Sequence, residues 1–319
     1  MRLLARSLAA LLLLLPPAEA VEPAPRVRSL RILVLSTMLA DAGLGEWGFA
    51  ALVEVDGQRI LFDTGARPDT VLRNARELEV DLGAVPDVVL SHNHSDHTGG
   101  LLTLRRELMK KTPGALGRLH VGKGIFLPRV SASGTVDESL LALRREFEST
   151  GGTVVEHAEP RPLQPGVWLT GPVPRIHPER NWSARGKVRT PEGLVEDTIP
   201  EDQSLVIDTD RGLVLLAGCG HAGIVNTIAH ARKTIRPAAM HAVVGGFHLF
   251  SADDAHLRWT GERLKEFGVE NLVGAHCTGI EAVFRLREQL GLSRGSAVVG
   301  AVGASFELGK GIDPRLVAR

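Results

Sequence analysis

The segment Ser91-His92-Asn93-His94-Ser95-Asp96-His97-Thr98-Gly99-Gly100 places three imidazoles and a carboxylate directly after the apolar run Val88-Val89-Leu90. Imidazole nitrogen and carboxylate oxygen are the ligands that a borderline metal such as zinc takes. If residues 92 to 94 leave a strand end extended, side chains two apart project to the same side, so His92 and His94 face one way. Asp96 and His97 follow on the turn and reach a second position close by. This spacing suits two adjacent metals better than it suits a polar loop in which histidines happen to cluster.

Such a loop needs strands to carry it and other strand ends to meet it. Apolar runs at 31–36, 49–55, 59–62, 87–90, 119–121, 204–208, 213–217, 242–244 and 271–275 read as strands. Asp56-Gly57 between two of them is a two-residue hairpin signal. Helical patterns occupy 71–78, 101–110, 138–148, 224–235, 255–267 and 280–290. His221, His248 and His276 each follow an apolar strand and a glycine-containing turn, and strand-end loops are where rigid scaffolds place chemical groups. If those strands run parallel, their histidines converge with residues 92 to 97. His120, His157, His177, His230, His241 and His256 have no such context. Residues 159–202 hold most of the Pro clusters together with Trp168 and Trp182, and read either as a lid-like insertion over a substrate or as a surface excursion such as a β-hairpin with long arms.

The chain has 319 residues, 44% of them hydrophobic, and 37 Lys+Arg balance 37 Asp+Glu. That length supports a sizeable core, and the zero net charge argues against a general nucleic-acid surface. Arg2 and Arg6, the run Leu8 to Leu15 and the small-residue site Ala18-Glu19-Ala20 describe a signal peptide over 1–20, cut after Ala20. The exported protein, periplasmic or secreted, then has a leader at 21–29, one domain at 30–310 and a tail at 311–319, with no stable membrane insertion. Cys219 and Cys277 each sit beside a candidate ligand, in Gly218-Cys219-Gly220-His221 and His276-Cys277. We read them as free thiols near the site, since two cysteines make no disulfide framework.

His-x-His-x-Asp-His after a buried strand, followed by Gly-Gly, resembles the signature of the metallo-β-lactamase superfamily. The resemblance spans roughly residues 30 to 310 and implies an α/β fold, a four-layer αββα sandwich with one or two metals at one edge. It extends to Ile60-Leu61-Phe62-Asp63-Thr64-Gly65, whose Asp in the superfamily lies beneath the metals and orients a ligand. Gly218-Cys219-Gly220-His221-Ala222-Gly223, Gly245-Gly246-Phe247-His248 and Ala275-His276-Cys277-Thr278-Gly279 look like a dihydropteroate-synthase-like subgroup. Its archaeal members join a pterin methyl pyrophosphate to a ribosyl-aminobenzene phosphate. Many superfamily members also carry a Gly-His-Thr motif and a bridging Asp. Here the first position falls at Pro200-Glu201-Asp202-Gln203-Ser204, without His, and the second at Cys219 or His221.

The leading expectation is an exported metal-dependent hydrolase of an ester, lactone, amide or phosphoester, working through a metal-bound hydroxide. Two divalent ions, zinc or else iron or manganese, would be held by His92, His94 and His221 and by Asp96, His97 and His276, with Asp96 also orienting the hydroxide. Cys219, His248, Asp63 and Asp202 are further candidates as ligands or ligand supports, and Trp168 and Trp182 as contacts to a small-molecule substrate. A transferase of the pterin-arylamine type and a non-catalytic envelope metal-binding protein are the alternatives. Asp63-Thr64-Gly65 spells an aspartic-protease triplet, but no second Asp-Thr/Ser-Gly occurs to share its proton. A Cys277 nucleophile beside His276 is equally poor, because neighbours on a strand face opposite ways.

Overall fold

Alternation along each strand sorts the apolar side chains into three cores. The computed structural model describes residues 25–183 and 185–318; the expected signal peptide over 1–20 lies outside the described residues. In the strand Leu30–Ser36, Ile32 and Val34 face one core while Leu33 and Leu35 face another. In Gly212–Ala217, Val214 and Leu216 turn to the core that Ile32 joins, and Leu213 and Leu215 turn away to the third. Both faces of both sheets are therefore covered, which is why their strands read as near-continuous apolar runs.

An eight-stranded sheet packs through the central core against a seven-stranded sheet. Thr70–Glu77, Leu101–Met109 and Ser139–Ser149 cover the outer face of the first. Ile224–Thr234, Asp254–Glu266 and Ile280–Leu290 cover the outer face of the second. The result is the αββα sandwich. Asp56 and Gly57 both adopt positive φ, 46° and 80°, in the hairpin joining Ala50–Val55 to Gln58–Phe62.

Parallel pairing decides where the chemistry goes. Gln58–Phe62, Asp87–Leu90, Arg118–Gly122 and Thr153–His157 run parallel in the first sheet. Gly212–Ala217, Met240–Gly245, Asn271–Gly274 and Ala297–Val299 run parallel in the second. The loops carrying residues 91–98, 218–223, 246–250 and 275–279 all leave the C-terminal ends of these strands.

Two segments carry strands beyond those read from the sequence pattern. Within residues 159–202, Arg161–Gln164 and Val167–Leu169 are strands of the seven-stranded sheet, and the hairpin Lys187–Thr190 with Gly193–Glu196 lies outside that sheet. That hairpin joins Arg129–Val130 and Val136–Asp137 in a separate four-stranded sheet. The expected tail is also partly structural, since Gly311–Asp313 pairs with Ser305–Glu307 at the edge of the eight-stranded sheet.

Candidate metal centre

Asp63 is the hub of the half built on the eight-stranded sheet. It ends the strand beside Asp87–Leu90, is fully buried, and holds φ at 57°. Its carboxylate accepts hydrogen bonds from Ser91 N (2.7 Å), Ser91 Oγ (2.7 Å) and His97 Nδ1 (2.7 Å). Because Ser91 Oγ donates to Asp63, it must accept from His92 Nδ1, 2.9 Å away. Both rings therefore direct Nδ1–H at this foundation; His92 turns a bare Nε2 lone pair inward, while His97 Nε2 meets Cys219 Sγ at 3.1 Å. Glu201 braces the same loop, accepting from Asn93 N at 3.2 Å while Arg129 clamps its other oxygen at 2.5 Å.

On the seven-stranded side, Cys219, His221, His248 and His276 come one or two at a time from three separate loops. His221 Nδ1 donates to the carbonyl of Asn181, leaving its Nε2 free as well. Asp202, at the position where the resemblance expects a histidine motif, accepts from Ala222 N at 2.8 Å and so props the His221 turn. Close approach at the seam demands glycine. A Cβ on Gly218 would stand 2.1 Å from Ser91 Oγ and 2.6 Å from Asp63 Oδ2.

The two halves meet as overlapping donor sets. The ligand atoms of His92, His94 and His221 lie within 4.8 Å of one another, as do those of Asp96, His97 and His276. Cys219 Sγ belongs to three further sets: with His92 and His97, with His221 and His248, and with His276 and Cys277. Among the described residues, the buried His92 Nε2, His221 Nε2 and His276 Nδ1 have no hydrogen-bond partner. Buried polar atoms without partners are costly. Nitrogen, sulfur and carboxylate donors converging with free lone pairs fit a divalent metal.

The shifts of three imidazoles agree with that. Burial, reinforced by the neighbouring rings, holds His92 and His221 well below the usual imidazole range and brings His94 down to about 4. These rings are neutral, as ligands must be. Burial also lowers His97, but the charge and hydrogen bond of Asp63 outweigh it and the net shift is upward. Burial raises Asp96, yet the hydrogen bond from His276 and the charges of nearby rings leave it below the ordinary carboxylate range. Cys219 and Cys277 are free and buried, and burial pushes the Cys219 thiol up.

Comparison with known proteins places this architecture. The profile of the metallo-β-lactamase superfamily matches residues 48–232. The chain belongs to that superfamily. A relative from Methanocaldococcus jannaschii, 7,8-dihydropterin-6-methyl-4-(β-D-ribofuranosyl)-aminobenzene-5'-phosphate synthase, is 31% identical over 270 residues, covering 81% of this chain and 90% of that protein. Among solved structures, Tm1679, described as a metal-dependent hydrolase of the β-lactamase superfamily, superposes with a TM-score of 0.70 at 29% identity, over 86% of this chain and 98% of that one. Zn2+-bound PqqB from Methylobacterium extorquens shares the fold, with a TM-score of 0.52 at 15% identity, over 86% of this chain and 99% of that one.

Of the aromatic candidates, Trp182 lies beside the metallo-β-lactamase site and Trp168 does not. Trp182 lines a cavity of about 310 Å³ together with Arg180, Asn181, His248, Asp253 and His256. Trp168 sits in the strand Val167–Leu169 and packs toward the outer helical core. A second cavity, about 450 Å³, opens on the other flank beside His94, with Arg129, Asp197 and Leu140 in its wall. Ser91, Asn181, Glu201 and Trp47, whose ring lies 4.9 Å from that of His276, also belong to the site. Only Ser91, inside the histidine motif, carried a local signal; the others reach the site through contacts between distant segments.

Proposed function

We propose that this member of the superfamily is an exported, dinuclear metal-dependent hydrolase of a small-molecule ester, lactone, amide or phosphoester. The observation that carries the reading is the pair of adjacent donor sets, His92, His94 and His221 beside Asp96, His97 and His276. Divalent ions held there, zinc being the best match to the donors, supply Lewis acidity and activate water at neutral pH. The chain's own residues do the rest. Asp63 and Ser91 fix the tautomers of His97 and His92, and Asn181 fixes that of His221. Asp96 stays ionised, with Oδ2 3.3 Å from His276 Nε2, and so can accept a proton and orient the attacking oxygen. The cavities beside His94 and His248 give substrate and leaving group separate approaches.

Export rests on the segment from Arg2 to Ala20. No helix among the described residues is long and apolar enough to cross a membrane. N-terminal sequencing of the protein recovered from its producing cells tests the cut after Ala20.

A second reading, a synthase that joins a pterin methyl pyrophosphate to an arylamine, is favoured by the 31% identity that extends over 90% of the archaeal relative. Elemental analysis of the purified protein, followed by a screen of esters, lactones and phosphoesters alongside the pterin and arylamine pair, separates the two. Two metal equivalents with turnover of a single substrate in water support the hydrolase. Turnover that requires both pterin and arylamine supports the synthase. Absence of metal after reconstitution overturns both.

A further inference from the structure

We propose that Trp47 and Phe250 form a rigid corner that seats a flat aromatic ring of the substrate and so determines which substrates reach the donor set. The proposal deepens the hydrolase reading, from which it takes only the identity of the site. Large aromatic side chains normally hide; here Trp47 is 50% exposed and Phe250 53%. The two rings stand 5.8 Å apart and nearly perpendicular, at 85°. Each leans on an imidazole of the site, Trp47 on His276 at 4.9 Å and Phe250 on His248 at 5.2 Å. The exposed apolar surface is therefore at the mouth of the site rather than scattered.

The corner is also held in place. Glu46 is buried, and its carboxylate accepts from Ser36 Oγ (2.7 Å), Ala66 N (2.9 Å) and Arg67 N (3.0 Å). On the far side of Trp47, Gly48 N donates to Glu46 O (3.0 Å) and Phe49 N donates to Asp96 O (3.1 Å). The backbone on both sides of Trp47 is thus pinned, one side of it to the histidine loop. Phe250 N donates to Cys277 O (3.2 Å), which ties the second ring to the loop bearing His276. Pre-positioned rings lose little freedom when a ligand arrives. Two perpendicular faces suit a flat ring that stacks on one and meets the other edge-on, a preference that saturated rings of equal size cannot satisfy.

The test compares 2-naphthoate with decahydro-2-naphthoate, two carboxylates of equal charge and skeleton, by calorimetry on the full-length protein. Wild type binds the aromatic probe roughly two- to tenfold more tightly. Trp47→Leu and Phe250→Leu each shrink that ratio toward one, Trp47→Phe keeps most of it, and metal content stays at the wild-type level in all three. An equal affinity for both probes in wild type, or a ratio unchanged by both Leu variants, overturns the proposal. So does a concentration-dependent dimer that Trp47→Leu dissolves, because a second copy then covers the corner. The readout is a ratio, legible with or without bound metal, so a metal-free protein sinks the hydrolase reading without deciding this one.

Discussion

The two halves of the site are built in opposite ways. The eight-stranded sheet delivers His92, His94, Asp96 and His97 on one loop, over a single carboxylate that collects three hydrogen bonds. The seven-stranded sheet delivers Cys219, His221, His248 and His276 from three parallel strand ends, with His248 and His276 both at positive φ, 49° and 47°. One half is a local motif with a shared foundation; the other is an assembly whose members depend on sheet register. A fault in the first should spread across the site, whereas a fault in the second should stay with one ligand.

The largest effect tests that contrast directly. His92→Ala/His94→Ala should lose metal at both positions, while His221→Ala should lose about one equivalent, each read by elemental analysis. Equal losses would erase the distinction. Asp63→Asn should weaken metal affinity about 10- to 100-fold, as removal of a ligand's hydrogen-bond partner does, measured by chelator competition. Gly218→Ala drives a Cβ into Ser91 Oγ and Asp63 Oδ2 across the seam. It should destabilise the protein by about 1–3 kcal/mol, seen in urea unfolding, and should weaken metal binding in the same direction as Asp63→Asn.

The smallest effect concerns the far half alone. Glu179 accepts from Val225 N (3.1 Å) and Asn226 N (2.8 Å) at the start of the helix that follows His221. Burial, against those backbone hydrogen bonds, raises it from 4.5 to about 7. A carboxyl whose folded value lies above its unfolded value holds its proton longer in the folded state. Its contribution to stability is complete below about 4.5 and is lost as pH rises through about 7. Glu179→Gln should flatten the fall in urea midpoint between pH 5 and 7 and leave the metal affinity of the His92 loop unchanged.

The same contrast explains what was legible in the sequence. The His92 loop announced itself because its donors are neighbours in the chain, and Asp63 through the resemblance of its strand end. The long apolar strands and amphipathic helices followed from periodicity. The strands Arg161–Gln164 and Val167–Leu169 did not, because Pro162 and Pro165-Gly166 interrupt a run too short for alternation to show. Ala297–Val299, Ser305–Glu307 and Gly311–Asp313 were missed for the same brevity, three residues each. Asn181, Glu201 and Trp47 acquire meaning only through partners far along the chain, in contacts that no local pattern encodes. Trp168 and Trp182 looked equivalent as sequence, yet one is strand and the other rim.

The Glu46 anchor has a consequence for diversification. Since the carboxylate fixes the backbone around position 47 and leaves the ring half in solvent, the side chain there should be exchangeable with the backbone link to Asp96 kept. Random variation confined to positions 47, 182 and 250 would sample new chemical appetites on a constant donor set. Variation at 63, 91 or 218 would mostly yield empty scaffolds.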